Sequence, residues 1–206
     1  MFRPSRDVAV FASVVEPPLL GALARAMRAG EGRPAEVLTP TGRRVGRHVR
    51  RTSAVRVPPA VAEPVRRRFE ALRDTLADRF GVPLGHCETP QFLRYEHGDR
   101  FVPHADVTAS GAGFPALRRR VSAVLHVAQD PVPSASGGTA SPKGATASCG
   151  SLTFFDTSPD VTWQTCRVKV AVDPGSVIAF PSDAVHEVPP VRTSSRLTVA
   201  VWFWDP

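Results

Sequence analysis

The sequence predicts an α+β domain built around a β-sandwich or jelly roll. Two stretches with helical apolar periodicity lie within the first 88 residues. The remainder breaks into short strand-like runs, and Gly, Pro and Asp turn signals separate those runs. The 206 residues fit a single domain with a core that needs no disulfide or metal staple. Within it we expect a helical support region over 1–88, a β core over 89–206 and a flexible loop over 130–149.

Val8 to Val15 reads as a strand. Pro17 and Pro18 open a helix running to about Ala29, because Pro is tolerated in a first turn, and Leu19, Leu20, Leu23 and Met27 give it one apolar face. Residues 31–57 read as irregular, Arg-rich strands and loops. A second helix follows Pro58 and Pro59: Val61, Val65, Phe69, Leu72, Leu76 and Phe80 recur at three- or four-residue intervals until Gly81 stops them. That stripe is core packing. Strands are expected at 90–95, 121–128, 151–156, 166–172, 176–180 and 196–204. Residues 130–149 are rich in small residues and almost free of large apolar ones, hence the expected loop.

The formal charge is +7, and of the 26 basic residues only Lys143 and Lys169 are Lys. The Arg runs at 43–51, 66–68 and 118–120 carry no interleaved aromatics, as a single-strand surface would want, so they read as solvated faces and not as a nucleic-acid site. Cys87, Cys149 and Cys166 make an odd count with no CxxC spacing, which argues against a disulfide framework or zinc knuckle and fits a reducing cytoplasm. No signal peptide and no apolar span of membrane length is evident.

The chemistry concentrates in Phe101-Val102-Pro103-His104-Ala105-Asp106. On extended chain, positions i and i+2 share a face, so His104 and Asp106 can aim an imidazole and a carboxylate at one metal. His-x-Asp alone is a weak signal. It gains weight from the apolar run Ser176 to Phe180, which enters a short turn and presents His186 just beyond it. Two imidazoles and one carboxylate on one side of a metal leave open positions, the pattern of non-haem Fe(II) oxygenases. Arg196 follows ten residues later and opens a strand on which it shares a face with Thr198. An inward guanidinium needs an anion, and with a hydroxyl beside it can grip a carboxylate.

With these residues in place, the chain resembles the Fe(II)/2-oxoglutarate-dependent dioxygenases, in particular their prolyl 4-hydroxylase-like branch. Leu93 to Phe101 is similar to that branch's RY-x-x-G-x-x-(F/Y) lead-in, and Val121 to Asp130 to its central strand. Gly150 to Phe154 is similar to its G-x-L-x-F strand, and Pro174 to Val188 to its G-x-x-(I/V)-x-F…H-x-V element. The resemblance implies a double-stranded β-helix with N-terminal support helices. It implies Fe(II) on His104, Asp106 and His186, with 2-oxoglutarate held by Arg196, Thr198 and Tyr95. O2 is consumed, and ascorbate is an optional supporting reductant. Arg196 stands where many members of the branch have Lys. Two departures stand out: the extra residues at 130–149, open between a lid and a plain insertion, and His126, where relatives often have Tyr. His126 reads as a partly buried core residue, while His48, His86 and His97 receive no role.

The activity so implied is hydroxylation of an unactivated C–H bond. The retained carboxylate of Asp106 speaks against halogenation. The first substrate class is an amino-acid-like small molecule of a biosynthetic tailoring pathway, free or carried by another protein. A prolyl residue of a peptide or protein, a nucleic-acid demethylase and a non-enzymatic small-ligand-binding β-barrel stay open as alternatives. No membrane partner is expected, and the sequence leaves the oligomeric state open.

Overall fold

The computed structural model describes residues 7–39, 42–107, 115–131, 151–156 and 167–206. Chain order begins with β1 (Ala9–Phe11), α1 (Pro17–Ala29), β2 (Gly32–Pro34), β3 (Val37–Thr39), β4 (Gly42–Arg44), β5 (Arg50–Arg51) and β6 (Ser53–Val55). Helices α2 (Pro59–Ala71) and α3 (Arg73–Phe80) follow. Then come β7 (Gln91–Glu96), β8 (Arg100–His104), a 3-10 turn (Pro115–Arg118), β9 (Arg119–Asp130), β10 (Leu152–Phe155), β11 (Arg167–Val170), β12 (Val177–Pro181), β13 (His186–Val188) and β14 (Ser195–Trp204).

Among the described residues these strands form a seven-stranded sheet in the order β1-β12-β9-β14-β7-β6-β2, a five-stranded sheet in the order β11-β10-β13-β8-β5, and the hairpin β3-β4. The pairings are antiparallel throughout.

Side-chain alternation along the strands sorts the larger sheet into two cores. On β14, Leu197, Val199, Val201 and Phe203 turn outward. They pack with Val121, Ala123 and Leu125 of β9 beneath Leu23 and Met27 of α1, Val65 and Phe69 of α2 and Leu76 of α3. Each of the larger side chains among them contributes about 1.5–3 kcal/mol on full burial. The intervening residues face the smaller sheet, where Leu93, Tyr95, Ile178, Phe180, Ala200 and Trp202 meet Leu152, Phe154 and Val188. Because both faces are covered, β14 reads as a nearly continuous apolar run.

Several expectations need correction. The 58–80 helix is two helices meeting at Leu72, whose own dihedrals stay in the right-handed helical region. Gly81 ends α3 at φ 64, the left-handed conformation that glycine adopts without steric cost. The first strand covers three residues, not eight. The region 1–88 is not only helical support: β1, β2 and β6 extend the larger sheet and β5 the smaller one. The loop expected from 130 starts later, since β9 runs through Asp130, whose carboxylate takes a two-pronged hydrogen bond from Arg28. Residues 132–150 lie outside the described residues.

Candidate active site

Three pieces of backbone bring His104, Asp106 and His186 together. His104 ends β8 and His186 begins β13, and the two are direct partners in the antiparallel register although 82 positions apart. Asp106 lies past the end of β8 in a bend. Its N–H and that of Val107 both donate to the Ser182 carbonyl, at 2.9 and 3.0 Å, so the turn after β12 fixes the carboxylate's approach.

The ligand atoms of the three side chains lie within 4.8 Å of one another and could hold a metal ion. His104 Nε2 is 3.6 Å from Asp106 Oδ1, and His186 Nε2 is 3.7 Å from Oδ2. Each imidazole is oriented from behind. His104 Nδ1 donates to the Val102 carbonyl at 2.9 Å and His186 Nδ1 to the Ala184 carbonyl at 3.0 Å. A carbonyl can only accept, so the proton sits on Nδ1 and the Nε2 lone pairs face the centre.

Charge state suits a cation. Burial pushes Asp106 toward its protonated form, but His186 and His104 outweigh it, and the carboxyl stays well below the usual carboxylate range. Burial, followed by the neighbouring His104, pushes His186 down to about 4, so it is a neutral donor at pH 7. Aromatic rings wedge both imidazoles: Phe101 stacks on His104 at 3.5 Å between centroids, and Phe180 lies 4.6 Å from His186.

A cavity of 450 Å³ opens beside this cluster. Arg196, Thr198, Ala200 and Trp202, the inward face of β14, form part of its wall, and so does Tyr95 of β7. Arg196 is 2% exposed, its Nε has no hydrogen-bond partner, and no ion pair to it occurs among the described residues. Burial pushes its pKa down to about 10, still cationic at neutral pH. Tyr95 lies opposite Arg196 in register, and the guanidinium carbon sits 5.5 Å from the phenol ring centroid. The six residues singled out in the sequence therefore line one cavity.

Sequence reasoning missed the support for Asp106. Ser122 Oγ donates to Asp106 Oδ2 at 2.7 Å and lies 3.0 Å from Ser182 Oγ. Ser122, a hydroxyl in the otherwise apolar run from Val121 to Leu125 of β9, was a readable signal. Arg119 donates through Nη1 to the Asp106 carbonyl at 3.3 Å while its other nitrogens grip Glu88, and nothing in the sequence pointed to that. His126 shares the inward face of β9 with Ser122 and Val124. Burial and Arg196 push it down to about 4.

The family model described as the 2OG-Fe(II) oxygenase superfamily matches residues 90–204. The chain belongs to this superfamily. A search of curated proteins finds no matching sequence. Among solved structures, the oxygenase is similar to a Pseudomonas putida prolyl-4-hydroxylase at 21% identity and a TM-score of 0.69, over 98% of this chain and 94% of that one. It is also similar to a Trichoplax adhaerens prolyl hydroxylase in complex with a peptide fragment of the hypoxia inducible factor oxygen degradation domain, at 14% identity, a TM-score of 0.67, and 98% and 84% coverage. A third is the non-heme alpha ketoglutarate dependent epimerase SnoN from nogalamycin biosynthesis, at 18% identity, a TM-score of 0.58, and 98% and 80% coverage. The fold is thus the double-stranded β-helix of these enzymes. The oxygenase is a 2-oxoglutarate-dependent dioxygenase with Fe(II) as its metal. Among the described residues, no helix is long and apolar enough to cross a membrane.

Proposed function

We propose that this oxygenase hydroxylates an unactivated C–H bond of an amino-acid-like small molecule, with Fe(II) on His104, Asp106 and His186 and the far carboxylate of 2-oxoglutarate on Arg196. The observation that carries the site is the pairing of two incomplete groups in one cavity. A buried guanidinium with no protein counter-charge among the described residues lines the same cavity as two imidazoles and a carboxylate whose donor atoms converge as a cation site would require. Each is costly alone, and an iron–dicarboxylate complex satisfies both.

The donor set fits ferrous iron: two neutral nitrogens and one carboxylate leave a residual positive charge that attracts the keto-acid end of 2-oxoglutarate. Bound Fe(II) would supply the oxidation, in which one atom of O2 enters succinate as 2-oxoglutarate loses carbon dioxide and the other enters the substrate C–H bond as a hydroxyl. The chain's own residues bind and orient. Val102 and Ala184 carbonyls hold the imidazole tautomers, and Ser122 holds one carboxylate oxygen of Asp106. Arg196 fixes the co-substrate's distal end, with Thr198 beside it and Tyr95 against the guanidinium. The apolar walls from Leu93, Val124, Leu152 and Val188 restrict water.

The small-molecule substrate is supported by the cavity's size, which is in the range of ligand pockets. A prolyl residue in a peptide is the second reading, and the likeness to two prolyl hydroxylases favours it. The nucleic-acid reading loses support because two of the three Arg runs are paired: Arg66 with Glu63 and Glu70, Arg68 with Glu16, Arg119 with Glu88, and Arg118 and Arg120 with Asp205. A cytoplasmic location is supported by the odd cysteine count and by Cys87, buried and free; Cys149 and Cys166 lie outside the described residues.

The test is anaerobic addition of Fe(II) and 2-oxoglutarate, expected to give a visible charge-transfer band, followed by a screen of amino acids and proline peptides for substrate-dependent succinate. A colourless mixture would overturn the site assignment.

A further inference from the structure

A second buried arginine lines the same cavity and has no place in the site as built above. Arg50 stands on β5 opposite Phe101 of β8 and is 7% exposed. Its guanidinium carbon lies 4.9 Å from the Phe101 ring centroid, and that ring stacks directly on the His104 imidazole. Guanidinium, phenyl ring and imidazole therefore form three successive layers that end at the metal-binding cluster.

The hydrogen bonding of Arg50 is incomplete. Nη1 donates to the Glu36 carbonyl at 2.9 Å, while Nε is buried with no partner, and no ion pair to Arg50 occurs among the described residues. The cavity's other arginines differ. Arg119 is neutralised by Glu88 through two nitrogens, and Arg196 lies on the opposite sheet, where the co-substrate is assigned. A guanidinium kept this dry without a counter-charge is unfavourable unless a ligand supplies the charge. Its planar fork suits two oxygens in one plane, which is the shape of a carboxylate.

We propose that Arg50 is a substrate-binding residue that grips a carboxylate of the substrate. The substrate is then a small carboxylic acid, such as an amino acid with its carboxylate free, and not a residue internal to a polypeptide. This rests on the assignment of Arg196 to 2-oxoglutarate, since two guanidinium groups on opposite walls then hold two different anions.

The experiment loads wild type, Arg50→Gln and Arg50→Lys anaerobically with Fe(II) and 2-oxoglutarate. The probes are the twenty common amino acids as free acids, the same compounds as carboxamides, and N-acetyl proline peptide amides. Binding is read from perturbation of the visible band and turnover from succinate after admitting air. We expect at least one free acid to bind wild type at least about tenfold more tightly than its own carboxamide, the scale of a charge-assisted hydrogen bond. The preference should vanish in Arg50→Gln and return in part in Arg50→Lys, with the 2-oxoglutarate band intact in all three proteins.

A band in wild type with no acid preferred over its amide would overturn the proposal without need of any variant. So would a preference that survives Arg50→Gln, or a blocked peptide amide that binds better than every free acid. Loss of the band in Arg50→Gln alone would make Arg50 a co-substrate residue and overturn it likewise. Absence of the band in wild type would instead bring down the site assignment, and this proposal with it.

Discussion

At the scale of single residues, the cavity places two buried guanidinium groups with no protein counter-charge among the described residues, Arg50 and Arg196, on the walls around His104, Asp106 and His186. His104→Ala or Asp106→Ala removes one of three donors, and succinate formation should fall to background in either variant. Arg196→Met should weaken 2-oxoglutarate binding by about 2–5 kcal/mol, the usual scale for truncating one partner of a buried charge pair, as read by titrating the visible band. The same substitution should leave the ligand-free protein as stable as wild type or more so, because it removes a buried cation that has no partner in that state. Thermal melts with and without 2-oxoglutarate separate the two effects. His126 gives a pH signature. Its folded value of about 4 lies below the ordinary 6.5, from burial first and Arg196 second, with Asp173 opposing. The fold therefore prefers the neutral ring. The stability this contributes is complete above pH 6.5 and is lost as pH falls toward 4, on the order of 1–3 kcal/mol. Denaturant unfolding across that window should show a shallower pH slope in His126→Gln than in wild type; equal slopes would contradict the assignment.

At the scale of elements, function depends on register and on two tight approaches. The β8–β13 pairing sets His104 against His186, and the turn after β12 holds Asp106 through the Ser182 carbonyl. Ser122→Ala should preserve the fold while loosening the Asp106 carboxylate, seen as weaker Fe(II) binding by about 10-fold or more, as for other groups behind metal ligands. The turn that leads into β12 is anchored at Gly175. It sits at φ 88, and an added Cβ would lie 2.7 Å from the Val15 carbonyl oxygen, while Val15 N–H donates to the Gly175 carbonyl. Gly175→Ala should cost roughly 1–3 kcal/mol, through backbone strain and a forced separation of the β1–α1 connection from the sheet. A melting temperature equal to wild type would show that the segment yields more freely than this contact implies. The helix break at Leu72 lay beyond sequence periodicity because Val61 to Phe80 keeps one apolar stripe across it.

At the scale of the whole molecule, two cores share one sheet. The outer one carries the helices and the inner one carries the chemistry, so the cavity is walled by the inward residues of strands whose outward residues hold the fold together. Ligands that complete the inner core should stabilise the whole protein. Fe(II) with 2-oxoglutarate at 100 times the dissociation constant should add about 2.7 kcal/mol, visible as a raised melting temperature under anaerobic conditions.

Local sequence sufficed for the helix faces, six of the eight described strands beyond residue 89, the His104–Asp106 spacing and the Arg196–Thr198 face, but it did not show β8 and β13, the strands that carry His104 and His186. What it did show follows from local periodicity and turn chemistry, which are properties of neighbouring residues. Tertiary structure alone decided the rest. It set the register that lays His186, expected from the resemblance as the third ligand, against His104, the pairing of β1, β2, β5 and β6 into the two sheets, and the hydroxyl behind Asp106. It also brought a second uncompensated guanidinium, Arg50, to the cavity wall. These depend on which strands become neighbours, and that choice is made by burying two apolar faces at once, a condition that no single segment carries.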